Sequence, residues 1–147
     1  MAQSRLTTIE CLPEPFDGER LREVCAIFDA NPNLWAKIDT SGGTLAADEL
    51  VHGELLCRVY ADGEPVAIYV LHFYTAQEGR EAFITLAYGR AALDLCRVVL
   101  PLIELQCAGC RGIGMRTKRP GLKRKLGAAG YVTVSDRDGV AQMRKAL

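Results

Sequence analysis

The sequence has little of several residue types that would point to a specialised chemistry. It holds two histidines and one tryptophan, and its eighteen basic residues balance eighteen acidic ones. Net charge therefore predicts neither a polyanionic nor a polycationic partner. No internal repeat or low-complexity segment is visible. A length of 147 residues, 49% of them apolar, suits one globular domain spanning residues 1–147.

The sequence also lacks an uninterrupted hydrophobic run. Its first residues contain no apolar core of signal-peptide length. The most apolar stretch, Leu93 to Cys110, is interrupted by Asp94, Arg97 and Glu104, which makes it too charged for a membrane span. We therefore expect a cytoplasmic protein that does not enter a membrane.

Metal-binding patterns are missing as well, although six cysteines are many for this length. Cys107 and Cys110 form a lone C-x-x-C, and no second pair stands at the spacing of a zinc site. We expect no metal, and we expect the cysteines to be reduced and mostly buried.

Strand patterns dominate the middle of the chain. Leu55–Ala61 and Val66–Tyr74 flank Asp62-Gly63, a dipeptide that favours a tight hairpin because glycine accepts positive φ. Glu81–Tyr88 adds a third strand, so these segments predict an antiparallel meander. Shorter elements precede it: a strand at Leu6–Leu12 ended by Pro13 and Pro15, and helices at Asp17–Asp29, Leu34–Ile38 and Thr44–His52.

A long apolar helix is predicted over Asp94–Gly109. Its polar residues, apart from Gln106, share one narrow stripe, so we expect most of its surface to be buried, with a kink at Pro101. The remaining elements are a strand at Gly112–Thr117, a helix at Pro120–Ala129, a strand at Tyr131–Val134 and a partial helix over Gly139–Leu147.

The order of these elements predicts an α/β (α+β) fold. A strand–helix–strand connection between Glu81–Tyr88 and Gly112–Thr117 implies that these two strands run parallel. The chain should therefore form a mixed central sheet, in which an antiparallel meander is followed by a parallel βαβ crossover, with helices on both faces.

Three segments in this order resemble the GNAT superfamily of N-acetyltransferases: Leu56–Ala67, Phe83–Tyr88 and Leu126–Tyr131. The resemblance covers nearly the whole chain and extends to small, phage-encoded proteins of this type. It implies acetyl-CoA as co-substrate and transfer of an acetyl group to a small-molecule or protein amine.

The resemblance also implies where acetyl-CoA would bind. In the superfamily a bulged fourth strand offers peptide groups to the pantetheine arm, and the following turn holds the pyrophosphate. The matching residues here are Leu86, Ala87, Tyr88, Gly89, Arg90, Ala91 and Ala92. Arg119, at the end of a short strand beside the expected cleft, is a further candidate for the CoA phosphates.

Catalysis in the superfamily requires a base and often a tyrosine acid. Glu81 stands where a base is often found, although a water molecule is an alternative base and a surface glutamate an alternative reading. The tyrosine position falls on Leu126, which cannot donate a proton. Tyr131 and Tyr88 are nearby candidates, and both lie outside the motif's register. Whether the chain is an active enzyme stays open at this point.

Two other functions remain open. A GNAT-like protein without catalysis could serve as a binding or structural part, and its apolar helix would suit a partner or a homodimer. Seven basic residues between Arg111 and Lys125, with no acidic residue from Leu105 to Ser135, could instead contact CoA phosphates, nucleic-acid phosphates or only solvent.

Overall fold

A computed structural model describes residues 8–14, 18–30, 55–89 and 95–147 of the chain. Within these ranges it contains seven strands and four helices. Their order is β1 (Ile9–Glu14), α1 (Gly18–Asp29), β2 (Leu55–Ala61), β3 (Glu64–Ala76), β4 (Gly79–Gly89), α2 (Leu95–Val98), α3 (Leu100–Gln106), β5 (Gly112–Thr117), α4 (Pro120–Ala128), β6 (Val132–Arg137) and β7 (Val140–Ala146).

All seven strands form one mixed sheet in the order β1-β2-β3-β4-β5-β7-β6. The first four strands pair antiparallel with their neighbours in sequence, and β4 then pairs parallel with β5. The predicted meander and parallel crossover are therefore confirmed. β7 inserts between β5 and β6, and both of its contacts are antiparallel.

Helices lie on both faces of the sheet, as predicted. Alternate residues of β2 show this, because neighbouring side chains in a strand point to opposite faces. Cys57 and Val59 belong to the main core, which also contains residues of α3 and α4. Arg58, between them in sequence, forms an ion pair of 2.7 Å with Glu23 of α1 on the other face.

The main core fills the face under α3 and α4. Cys107 and Cys110 lie in it as buried free thiols, which agrees with a packing role for the C-x-x-C. The other buried members come from five strands, from α3 and the residue before it, from α4 and from the turn before β6: Cys57, Val59, Tyr69, Leu71, Ala82, Ile84, Val99, Leu100, Ile103, Ile113, Met115, Leu126, Tyr131, Ala141 and Met143.

The predicted long helix is divided into α2 and α3. Pro101 has no N–H to donate to the Arg97 carbonyl, and the chain forms a turn at Val99 before the helix resumes. The expectation that most of its surface is buried was too broad. Leu105 is 71% exposed and Gln106 is also exposed, so α3 buries one face only.

The partial helix predicted over Gly139–Leu147 is wrong, because this segment forms strand β7. Ala141 and Met143 are buried at a spacing of two residues, which is the period of a strand. Asp138 and Gly139 both have positive φ and turn β6 back into β7. Asp62 and Gly63 have the same conformation between β2 and β3.

Most other boundaries agree to within a few residues. β1 continues through Pro13, which a strand at the edge of a sheet tolerates. The helices predicted at Leu34–Ile38 and Thr44–His52 lie outside the described residues. Within the described ranges, no helix is long and apolar enough to cross a membrane.

Candidate functional site

A cleft opens where β4 and β5 part. The two strands pair over four positions, from Glu81 opposite Gly112 to Ile84 opposite Met115. β4 continues to Gly89 and β5 to Thr117, but in the described structure they pair no further. The notch predicted from the order of the elements is therefore present.

A β-bulge marks the point of divergence. Val70 of β3 lies opposite Leu86 and Leu71 lies opposite Ile84, so Thr85 is the extra residue of β4. Residues 86–89 keep their pairing with β3, while their other edge has no strand partner in the described part of the sheet. Peptide groups on such an edge are available to a ligand, because each N–H and C=O needs a hydrogen-bonding partner.

A cavity of about 190 Å³ adjoins this edge, between the sheet and the helices α3 and α4. Ala87 and Gly89 of β4 contribute to it, together with Arg119. Apolar side chains form most of the wall. They come from β2, β3, β4, β5, α3, α4 and the turn before α3: Val59, Ala67, Ile68, Ile84, Val99, Leu100, Ile103, Met115, Leu122 and Leu126.

Two polar side chains that the sequence analysis did not single out also line the cavity. Tyr69 is buried, and its hydroxyl donates a hydrogen bond to the side-chain oxygen of Gln106. Burial raises the pKa of Tyr69, and the neighbouring Cys57 and Cys11 raise it further. Cys96 of α2 is partly buried. Tyr69 is the polar residue in an otherwise apolar run, Val66–Leu71, which is the signal that could have identified it.

The predicted cofactor residues fall into three groups. Ala87, Gly89 and Arg119 line the cavity. Leu86 and Tyr88 belong to the part of β4 that extends beyond β5. Arg90, Ala91 and Ala92 lie outside the described residues.

Arg119 is held in place by the start of α4. It adopts an extended conformation before Pro120, and its N–H donates to the Thr117 hydroxyl over 3.2 Å. Its side chain is exposed, as are those of Lys118 and Arg124, and none of the three is paired with an acidic residue in the described part of the chain. Of the three, Arg119 lines the cavity and carries positive charge there.

Glu81 lies before the divergence, where β4 and β5 are still paired. Its side chain is buried, and it accepts two hydrogen bonds from Arg144, over 2.7 and 3.0 Å. These bonds hold the pKa of Glu81 below its ordinary value, although burial acts in the opposite direction. A carboxylate held in this way is a weak base, so its ion pair argues against the catalytic role predicted for it.

Tyr131 is buried beside α3 and is not among the residues that line the cavity. Its hydroxyl donates to Glu104 over 3.4 Å, and the same carboxylate accepts bonds from Lys145 over 2.8 and 3.3 Å. Burial raises the pKa of Tyr131, and Glu104 adds to this effect. The structure does not bring Tyr131 and Glu81 together at the cavity.

Leu126 occupies the position at which the resemblance expects a tyrosine. It lies in α4, is fully buried and faces the cavity. The described lining contains no carboxylate and no histidine. Among the described residues, no group of three or more histidine, cysteine, aspartate or glutamate side chains could hold a metal ion.

No model of a known protein family matches the chain, and no curated protein matches it. Solved structures, however, match nearly its whole length. An acetyltransferase from Thermus thermophilus superposes with a TM-score of 0.67 at 18% identity, covering 95% of this chain and 97% of that one.

Two further structures carry ligands. A GNAT family acetyltransferase from Elizabethkingia anophelis with acetyl-CoA bound has a TM-score of 0.66 at 11% identity, over 95% of this chain and 98% of that chain. A Bacillus subtilis acetyltransferase in complex with CoA has a TM-score of 0.63 at 14% identity, over 95% and 99%. The chain therefore has the GNAT fold, as its sequence predicted. At these identities the likeness shows the fold alone, and a phage-type origin stays a prediction.

Proposed function

We propose that this chain binds acetyl-CoA in the cleft between β4 and β5 and transfers its acetyl group to an amine. The observation that carries the proposal is the coincidence of three features: the parting of the strands after Ile84, the bulge at Thr85 and the free edge of residues 86–89. Solved proteins of the same fold with CoA or acetyl-CoA bound support it.

The residues present fit such a ligand. The amides of a pantetheine arm need peptide partners in an extended arrangement, and the free edge of β4 supplies them. The phosphates need positive charge, and Arg119 carries it at the cavity. The apolar wall accepts the less polar parts of the arm and the acyl group.

The chemistry requires little from side chains once both substrates are held together. The amine nitrogen attacks the thioester carbonyl carbon, the new C–N bond forms, and the C–S bond breaks. One proton leaves the amine, and the released thiolate gains one. A thiol has a pKa of about 8.5, so a thiolate leaves readily without a strong acid. Orientation of the two reactants in the cleft is then the main contribution of the protein.

Water is the base in this proposal. Both carboxylate oxygens of Glu81 are engaged by Arg144, and Tyr131 is bonded to Glu104 away from the cavity. The acceptor is a small-molecule or protein amine that must reach the thioester unprotonated, so the transfer rate should rise with pH in the range below the pKa of the amine.

Calorimetric titration with CoA and acetyl-CoA tests binding, and thiol release with mass analysis of the products tests transfer to a polyamine, an amino sugar and a lysine peptide. We expect Arg119→Ala to weaken CoA binding about tenfold, because one charge-assisted contact is lost. Arg137→Ala, a change at an exposed arginine of β6 that does not line the cavity, is the matched control. Absence of any binding heat with the unmodified chain would contradict the proposal.

A second candidate is a GNAT-fold binding protein without catalysis. Leu126 favours it, because an apolar side chain faces the cavity where a proton donor is expected. This candidate predicts CoA binding with no thiol released beyond the rate in buffer for any of the three amines. Amine-dependent thiol release would eliminate it.

A further inference from the structure

We propose that the amine acceptor carries a carboxylate, and that Arg116 binds this carboxylate beside the cleft, on the face of the sheet opposite α3 and α4. The inference rests on the proposed function, since it names the class of acceptor for the same transfer. It is carried by the position of Arg116 where β4 and β5 part, and by the way in which neighbouring side chains hold its guanidinium.

Arg116 lies one residue beyond the last paired position between β4 and β5. Met115, which precedes it, belongs to the main core and lines the cavity. Neighbouring side chains in a strand point to opposite faces, so the side chain of Arg116 leaves the sheet on the other face, where it is exposed. An acceptor would approach an acyl group between the parted strands from this second face, because α3 and α4 pack against the first.

Two neighbours hold the guanidinium of Arg116. Its Nε donates a hydrogen bond to the side-chain oxygen of Gln142 on β7 over 3.3 Å. Its central carbon lies 5.4 Å from the centre of the Phe83 ring on β4. Gly114 of β5 leaves room for this ring, since a Cβ there would come within 3.3 Å of it. A side chain held in this way loses less rotamer freedom when it binds a ligand.

The charge of Arg116 is not neutralised by the described residues. No acidic side chain among them pairs with it, and none of them bonds its two terminal amino groups. Glu81 lies on the same face but is engaged by Arg144. The terminal amino groups of a guanidinium match the two oxygens of a carboxylate. The acceptor that fits is therefore an amine that also carries a carboxylate, such as an amino acid.

The carboxylate takes no part in bond formation. The amine nitrogen attacks the thioester carbonyl carbon, the C–S bond breaks, and the thiolate gains one proton as the amine loses one. Arg116 contributes by binding the acceptor, so its loss should raise the KM for the acceptor and leave kcat nearly unchanged.

Calorimetric titration of the full chain saturated with CoA tests the proposal. The probes are L-alanine, β-alanine and 4-aminobutanoate, each compared with the amine in which a methyl group replaces the carboxylate: isopropylamine, propylamine and butylamine. We expect one or more of the amino acids to bind about tenfold more tightly than its matched amine, because a charge-assisted contact is gained. No preference in any pair would overturn the proposal, as would tighter binding of 2-aminoethylphosphonate than of β-alanine.

The titration with CoA itself separates this inference from the proposed function. If CoA binds and no amino acid is preferred over its matched amine, only this inference fails. If CoA does not bind, the proposed function fails, and this inference fails with it.

Three variants test whether the carboxylate binds at Arg116. Arg116→Gln should reduce the preference about tenfold, and Arg116→Lys should retain part of it, because lysine keeps the charge but not the paired N–H groups. Gln142→Glu should also reduce it, because the new carboxylate would pair with Arg116.

Arg137→Gln, a change at an exposed arginine of the edge strand β6, is the control and should leave the preference unchanged. The preference is a ratio measured within one preparation, so a reduced folded fraction does not alter it. A preference that is equal in all four variants would overturn the proposal.

Discussion

Glu81 and Arg144 form a bidentate ion pair between two strands. They lie 63 positions apart and join β4 to β7 across the intervening β5. Gly112 of β5 lies between them, and a Cβ at this position would overlap the Arg144 guanidinium. A larger residue here would force the guanidinium to move, so Gly112 leaves the space through which Arg144 crosses β5 to reach Glu81.

Substitution Glu81→Gln should reduce the free energy of unfolding by about 1–3 kcal/mol at pH 7, since a charge-assisted bidentate contact is lost. The folded-state pKa of Glu81 is lowered, so this contribution is complete above the unfolded pKa, about 4.3. It is lost as the pH falls through the lower folded value. Urea unfolding at pH 7 and at pH 3 measures both effects.

Glu64→Gln, a change at an exposed glutamate of β3, is the control and should cost little at either pH. A Glu81→Gln variant whose deficit is the same at pH 3 as at pH 7 would show that the carboxylate charge is not what stabilises this site.

At the scale of elements, β7 is central to the second half of the sheet. It pairs with β5 through Gln142 opposite Arg116, and with β6 through Gln142 opposite Ser135. β6 is an edge strand whose register shifts between Thr133 and Ser135, which leaves Val134 as the bulged residue. The two strands should therefore respond differently to a lost N–H.

Gln142→Pro should lower the free energy of unfolding by about 3 kcal/mol or more, because proline removes a donor from a strand with neighbours on both sides. Val134→Pro should cost markedly less, because bulges and edge strands tolerate proline. Thermal unfolding followed by circular dichroism compares the two. Equal losses would contradict the central position of β7.

Several elements could be predicted from the sequence because their signals are local. Asp62-Gly63 marked the first hairpin. The same dipeptide recurs at Asp138-Gly139, where the sequence analysis did not use it and assigned the following segment to a helix. The spacing of two between the apolar residues Ala141 and Met143 was the signal that favoured a strand over a helix. The charged residues Arg144 and Lys145 follow directly, so the alternation extends over only a few residues.

The site was less predictable, because its features depend on contacts distant in sequence. The bulge at Thr85 depends on the register between β4 and β3. The ion pair of Glu81 depends on Arg144, which lies on β7, a strand that the sequence analysis did not predict. The cofactor-binding candidates Ala87, Gly89 and Arg119 could be named because the resemblance covers that part of β4 and the start of α4. The apolar wall was not identified, since its residues look like ordinary core residues in sequence.

For the whole molecule, the sheet consists of two halves joined by few strand contacts. β1–β4 form one half and β5, β7 and β6 the other, with four paired positions between β4 and β5. A ligand that contacts both sides of the cleft would link the halves and stabilise the fold as a unit.

Acetyl-CoA at one hundred times its dissociation constant should add about 2.7 kcal/mol to the free energy of unfolding. For a chain of this size, that corresponds to a rise in Tm of roughly 5–10 °C. Scanning calorimetry with and without the ligand measures the shift. A Tm that does not respond at a concentration that saturates binding by titration would contradict this linkage.

The bulge at Thr85 affects which amino-acid substitutions the binding edge can tolerate. Every residue except proline has the same main-chain N–H and C=O, so substitutions other than proline at residues 86–89 keep the hydrogen-bonding groups that the exposed strand presents. We therefore expect a site built on this pairing register to tolerate more sequence change than a site built from particular side chains.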